Sequence, residues 1–465
     1  MHDPHPALRA IVGESLLPTG EGAAKRRMRG VAIAAALVAI SAAAVPLKIP
    51  PISYRHRTLA NGLQVYSVEE HSAPTVAIHV WYHVGSKDDP SGRSGFAHLF
   101  EHMMFKSTAH MKAEMMDRLT EDVGGYNNAQ TGDDTTFYYE ELPSNYLQTL
   151  LWAEADRMGS LNVDEANFKS EREVVKEEFR TSVLAQPYGL FGYDIDKDSF
   201  AVHPYKRPTI GSIEDLDSAT LADVQKFHAT YYRPDNATLV VAGDFDPQQL
   251  DSWIDKYLGA VPKPDTPIPR VDVKEPPRSA SKTITETAPN VPLPAVALTW
   301  LAPPRSSADR WPLQIAAVIL AQGESSRLYQ SLVYRQQIAQ DVGAEADLRE
   351  DAGIYVINAT VASGKTVDAV KKAIDAELRD IEQKPVSEGE LQKAKNQIIT
   401  DQLRRRETND GKAFAIGNAA TLLHDAAEVN NGLKKLQAVT AADVQRVMDK
   451  YLKNGKSLTI DYESK

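Results

Sequence analysis

No cysteine occurs among the 465 residues of this chain. Disulfides, thiolate metal sites, a thiol nucleophile and a lipidated N-terminal cysteine are therefore excluded, and any metal must be held by histidine and carboxylate. Basic charge is also scarce: 52 Lys and Arg stand against 63 Asp and Glu, a net charge of −11. A nucleic-acid partner would require a basic stripe, so none is expected. Past residue 48 no run is long and apolar enough to span a bilayer. What remains is ordinary globular material, 42% hydrophobic, long enough for two to three domains with ample core.

One apolar run does occur, near the N-terminus. Lys25-Arg26-Arg27-Met28-Arg29 precedes Gly30 to Ile40, and Ser41-Ala42-Ala43-Ala44 follows. A basic start, a short apolar stretch and a small-residue exit describe a secretory signal, with Met28 as an alternative start. An uncleaved anchor reaching about Leu47 is the rival reading. Either places the remainder in the periplasm or another extracytoplasmic space.

The most informative segment is His98-Leu99-Phe100-Glu101-His102. It follows Ser94 and Gly95, a plausible cap and turn, and runs to Phe105 without internal Pro or Gly, as a helix would. Positions i, i+3 and i+4 share a helix face, so two imidazoles and a carboxylate converge. Two imidazoles one turn apart can share Zn²⁺, and a neighbouring carboxylate that is not a ligand can take a proton from water. This is the inverted zincin pattern H-x-x-E-H.

Val261 to Pro277, rich in Pro, Asp and Lys, reads as an extended, flexible linker between two copies of one unit. Thr220-Leu221-Ala222-Asp223-Val224-Gln225 returns as Thr440-Ala441-Ala442-Asp443-Val444-Gln445, an offset of 220. The same offset carries Tyr231 onto Tyr451 and Pro74-Thr75-Val76-Ala77-Ile78 onto Pro294-Ala295-Val296-Ala297-Leu298. Val76 to Val84 alternates as a strand, Ala237 to Ala242 reads as a buried strand closed by Gly243-Asp244, and Ser457 to Tyr462 is its counterpart. The expected class is α+β: two homologous domains, each a mostly antiparallel sheet with helices on one face, facing each other across a cleft. The expected boundaries are 1–48 for the signal or anchor, 49–260 for a metal-binding domain, 261–280 for the linker and 281–465 for a metal-free domain. The second domain is metal-free because the offset maps His98, Glu101 and His102 onto Val318, Ala321 and Gln322.

Two imidazoles leave a catalytic zinc one protein ligand short. In the helical run from Asn167 to Phe179, periodicity puts Phe168, Glu171, Val174, Val175, Glu178 and Phe179 on the buried stripe and turns Glu173 and Glu177 outward. Buried carboxylates need partners, which makes Glu178 the expected ligand and Glu171 its support. Other histidines fit less well. His79 and His83, roughly 13 Å apart on a strand, cannot chelate one ion together and are expected at a surface or interface. His203 is expected to be structural, and nothing recommends His110 as a ligand.

These blocks, with Gly124 to Thr136, His203-Pro204-Tyr205, Tyr231 to Asp246 and Gly323 to Leu328, resemble the pitrilysin/insulinase family of zinc peptidases. The likeness is to the short two-domain branch of bacterial and mitochondrial processing peptidases and covers nearly everything after about residue 55. In that family a ligand Glu follows the motif by about 76 residues, which is Glu178, with a supporting Glu seven residues earlier, which is Glu171. The resemblance implies one Zn²⁺ per chain on His98, His102 and Glu178, and Glu101 as general base on water attacking a peptide bond. It also implies that Asn128 and Ala129, in Gly124 to Thr131, bind peptides or unfolded segments as an added strand.

One departure qualifies this. Active members place an Arg and, seven residues on, a Tyr in the metal-free half to hold substrate. Arg335 is present here, but its seventh successor is Val342. The chain thus resembles the zinc subunit of a heterodimer with a related metal-free subunit, with a homodimer as the alternative. A non-catalytic scaffold subunit is the competing role, and it predicts broken zinc ligands.

Overall fold

The computed structural model describes residues 49–465, so the expected signal or anchor lies outside the described residues. Among the described residues no helix is long and apolar enough to cross a membrane.

Two sheets organise the chain. The first is built from β1 (Arg55–Thr58), β2 (Gln64–Glu69), β3 (Thr75–Tyr82), β4 (Tyr126–Thr131), β5 (Thr136–Pro143) and β6 (Ala237–Gly243) in the order β1-β2-β6-β3-β5-β4. The second contains β7 (Lys282–Ala288), β8 (Ala295–Ala302), β9 (Ala339–Leu348), β10 (Gly353–Val361) and β11 (Ser457–Ser464) in the order β7-β11-β8-β10-β9. Removing β1 makes the two orders equivalent. Each has one parallel pair, β2 with β6 and β7 with β11, in an otherwise antiparallel ladder.

Seven helices position the motif or join the halves: α1 (Phe96–Met103), α2 (Glu165–Glu178), α3 (Gly189–Ser199), α4 (Leu221–Tyr231), α5 (Arg310–Ala321), α6 (Asn409–Leu422) and α7 (Ala441–Val447). The repeat is preserved in detail. Both ends of β8 are those of β3 displaced by 220 residues. Helices α4 and α7 start with the same reciprocal cap, Thr220 with Asp223 and Thr440 with Asp443, in which side chain and backbone satisfy each other's donors.

Helices on one face of each sheet were expected, yet both faces are covered. Each half lends a helix to the far side of the other's sheet. Helix α6 of the second half sets Ala413, Ile416 and Ala419 against Tyr66, Val68, Val240 and Ala242 of the first sheet. In return Phe191 of α3 packs with Ala295, Ala297, Ile460 and Tyr462 of the second. This is why Val76 through Tyr82 are all buried: alternate side chains meet the half's own helices or the borrowed one. His79 lies on the borrowed side, 2.8 Å from Asp410 of α6, as an interface residue. Gly417 of α6 sits against the indole of Trp81, where a Cβ would come within 2.0 Å of Nε1.

Residues 49–465 lie almost wholly within one compact unit, Pro51–Lys465. The segment between Tyr257 and Lys282 has neither helix nor strand, but flexible is the wrong description. The Glu275 carboxylate accepts the N–H groups of Ala201, Val202 and His203. Arg270 donates to the His83 carbonyl, and Arg278 to those of Thr299 and Ser199. Polar side chains within the linker fasten an extended chain to both halves.

Gly417→Ala separates local from tertiary effects. Alanine favours an isolated helix by about 1 kcal/mol over glycine, whereas overpacking a core costs about 1–3 kcal/mol. The expected outcome is a lower Tm in thermal unfolding. A higher Tm would show that α6 does not pack on Trp81.

Candidate metal centre

Helix α1 forms at Phe96, but its cap is not the one the sequence suggested. Gly95 is the N-cap at φ 95°, where a Cβ would lie 2.7 Å from the Ile210 carbonyl oxygen, so only glycine fits. The exposed N–H groups are taken by Asp89 from the preceding turn: Gly95 N–H donates to Oδ2 at 2.7 Å and Ala97 N–H to Oδ1 at 2.9 Å. Burial pushes the Asp89 carboxyl up to about 7, against the pull of those two donors. Ser94 instead donates its hydroxyl to Asp215. Further along, Phe100 stacks on Phe227 of α4 and its carbonyl accepts the Tyr138 hydroxyl at 3.1 Å. Behind Tyr138 is a buried ionic set, Arg157 with Glu140 and Glu154, its guanidinium 4.5 Å above the Tyr138 ring.

Helix α2 begins at Asp164, whose side chain accepts the Asn167 N–H. Its inner stripe differs from expectation at one residue. Phe168, Glu171 and Val175 are buried and Glu173 and Glu177 exposed, but Val174 is 46% exposed and Lys176 is buried in its place. Lys176 buries its stem while its ammonium reaches Glu173 and Asp217. Glu178 is the last α-helical residue before a wider π turn, Phe179–Leu184, a local irregularity frequent at functional sites.

The packing of α1 on α2 brings the motif to Glu178. Its Oε2 lies 3.2 Å from His102 Nε2 and 3.7 Å from His98 Nε2, and one ligand atom from each residue falls within 4.8 Å of the others. A tetrahedral ion with 2.0–2.1 Å bonds spaces its ligand atoms about 3.3 Å apart, so the donor set fits zinc. Glu101 is buried in the same helix. With burial the larger cause, its charge helps hold the phenols of Tyr138, Tyr139 and Tyr232 above their ordinary range.

Glu171 sits behind the cluster. Its Oε2 is 3.9 Å from His102 Nδ1, and its Oε1 is 2.9 Å from Lys106 Nζ and 3.0 Å from Ser170 Oγ. Sequence reasoning missed Lys106, whose signal was its position four residues after His102. It missed Asp89 and Arg157 too. Burial opposes charge on His102, but the Glu178 bond and the carboxylates of Glu101, Glu178 and Glu171 raise its pKa overall. In the metal-free protein this contributes stability that is full below the unfolded value near 6.5 and lost as pH rises through the folded one.

The remaining candidates are more scattered. Asn128 and Ala129 lie on β4, the edge strand of the first sheet, which packs against α1. Asn128 is exposed, and its Oδ1 accepts the Ala129 N–H at 2.8 Å. Arg335 ends a π turn before β9 and is 3.6 Å from Glu377; no ion pair joins it to the cluster among the described residues. Val342 is a buried residue of β9. In the sister helix α5 the corresponding residues are Val318 and Ala321, with Gln322 as C-cap, which offers no metal set. His203 caps its own turn by accepting the Tyr205 N–H, and His110 pairs with Asp156.

Comparison with known proteins identifies the family. Residues 64–212 match the Insulinase (Peptidase family M16) model and residues 218–398 the Peptidase M16 inactive domain. The zinc protease PqqE of Helicobacter pylori is 30% identical over 405 residues, 87% of this chain and 91% of that one. A probable mitochondrial-processing peptidase subunit beta of Arabidopsis thaliana is 24% identical over 406 residues, 86% of this chain and 76% of its own. The crystal structure of a protease from Helicobacter pylori superposes with a TM-score of 0.85 at 29% identity, over 89% of this chain and all of that one. The fold and the similarity define a metallopeptidase class. The chain belongs to the insulinase family of peptidases, family M16.

The raised His102 pKa makes metal uptake proton-coupled. Apparent zinc affinity of the stripped protein should weaken as pH falls from 8 to 6. Calorimetric titration in buffers of different ionisation enthalpy should show proton release that declines at the upper end of that range. Uptake without proton exchange near pH 6 would contradict the assignment.

Proposed function

We propose that this chain is a zinc-dependent endopeptidase that cuts peptides or unfolded protein segments. The observation that carries the reading is the convergence of His98, His102 and Glu178 beside a buried Glu101 that is not part of the donor set. A scaffold role is disfavoured, since the whole set is intact. The chemistry zinc supplies at such a site is Lewis acidity, which polarises a carbonyl and acidifies water. The residues do the rest. His98, His102 and Glu178 hold the ion, and Glu171, neutralised by Lys106, orients His102. Glu101 takes the proton of the attacking water and delivers it to the departing amine.

Substrate is proposed to add along the free edge of β4, displacing the Asn128 side chain from the Ala129 N–H; main-chain bonds of this kind demand little of substrate sequence. Arg335 contributes a positive charge to substrate once it leaves Glu377. With Val342 where a Tyr would stand, the substrate-holding half is proposed to come from a related metal-free subunit. The relative that is a probable mitochondrial-processing peptidase subunit beta supports such pairing. The functional parts are then a metal-bearing domain over 49–260, a linker over 261–280 and a metal-free domain over 281–465. The basic and apolar residues of 25–44 support an extracytoplasmic location.

Cleavage of a quenched fluorescent peptide, with and without chelator, tests this. Glu101→Gln should retain zinc and lose about 10²-fold or more in kcat, the scale of general-base contributions. Activity that survives complete metal removal, or that persists in Glu101→Gln, would sink the mechanism. Full activity of the isolated chain would remove the need for a partner subunit.

A further inference from the structure

A second group of imidazole and carboxylate lies at the seam between the halves. His83 follows β3, Glu350 lies in the turn joining β9 to β10, and His424 comes just after α6. His83 Nε2 is 2.8 Å from Glu350 Oε2, and His424 Nε2 is 2.8 Å from Oε1. The two rings are 5.3 Å apart between centroids, and one ligand atom from each residue falls within 4.8 Å of the others. We infer that His83, Glu350 and His424 form a second divalent-metal site, separate from the His98, His102 and Glu178 cluster, that fastens the first half of the chain to the second.

The two imidazole–carboxylate separations of 2.8 Å fall about 0.5 Å short of the ligand spacing of about 3.3 Å that a tetrahedral ion requires, so a small side-chain movement admits the ion. Two imidazoles with one carboxylate select zinc, cobalt, nickel or copper over calcium and magnesium, which take oxygen sets. The local charge also favours a cation. Lys87 Nζ is 2.6 Å from Glu350 Oε2, but it is equally engaged by Asp134 at 3.0 Å and Asp351 at 2.9 Å. One ammonium among three carboxylates leaves a deficit of positive charge, and Arg270, which donates to the His83 carbonyl, only partly makes it up. Lys87 can keep Oε2 while an ion takes Oε1 and the two imidazoles.

The backbone at His424 is consistent with a directed side chain. Its φ is 51°, a left-handed conformation that glycine or asparagine normally takes at a helix C-terminus. An imidazole occupies that position and meets Glu350. His83 also lies six residues before Asp89, which holds the N-terminus of α1. An ion at the seam would thus stiffen the segment leading into the motif helix as well as the contact between halves.

The test counts zinc bound by the full chain after stripping and equilibrium dialysis against zinc. The wild type should bind about two equivalents, His424→Ala about one, the His98→Ala/His102→Ala protein about one, and the triple variant none. His424 is exposed, so its replacement should leave folding intact, and His424→Gln serves as a second variant. In the His98→Ala/His102→Ala background, zinc should raise Tm, and His424→Ala should abolish the rise. No zinc bound in that background, or binding there indifferent to His424, would overturn the inference. Failure of the peptidase reading looks different: stoichiometry would then be unchanged by His98→Ala/His102→Ala.

Discussion

The contact of α1 with α2 is the interaction on which the rest depends. It gathers three carboxylates, Glu101, Glu171 and Glu178, around two imidazoles, with Lys106 the cation paired to one of them. Charges so placed are costly to bury unless they are paired or coordinate a metal. A divalent cation bound by His98, His102 and Glu178 would offset this negative charge and, on the proposed reading, leave Glu101 to move protons. The surroundings serve to hold α1 in register: Asp89 at its first turn, Tyr138 on its carbonyl, and Arg157 beneath Tyr138. Removing one partner of a buried ionic set such as Arg157, Glu140 and Glu154 typically costs about 3–5 kcal/mol. The site is thus tied to the folding of its half.

The exchange of helices couples the halves. Neither sheet can bury both faces with its own helices, because α6 and α3 are supplied by the other half. The ionic seam adds to this apolar lock, with Lys87 reaching Glu350 and Asp351, and Arg349 reaching Asp133 and Asp196. The second copy therefore has a structural role independent of catalysis. It completes the core of the copy that carries the H-x-x-E-H motif.

Much of this was legible in the sequence where the physics is local or repeated. Helix phase alone separated Glu171 and Glu178 from Glu173 and Glu177, because a 3.6-residue period needs no distant partner. The same rule failed at Val174, an apolar residue left exposed, and at Lys176, whose stem is covered while its charge reaches solvent-side carboxylates. The offset of 220 residues carried the bounds of β3 onto β8, since duplicated sequence duplicates topology. Tertiary arrangements were not legible. Asp89 caps a helix it does not begin, Gly417 is explained by Trp81 rather than by its own helix, and the linker is pinned by Glu275 through segments far away in sequence. Each depends on which distant segment arrives, and no period or spacing records that.

The pair of helices α1 and α2, closed by Glu178, is proposed as the chemical centre of the chain. Anomalous diffraction at the zinc edge, from crystals of the zinc-loaded full chain, locates the ion. The expected peak is bounded by the Nε2 atoms of His98 and His102 and a carboxylate oxygen of Glu178, with Glu101 outside the ligand set and no peak at Val318, Ala321 and Gln322. A zinc-loaded crystal with no density between those three residues, or with Glu101 as the ligand in place of Glu178, would contradict it.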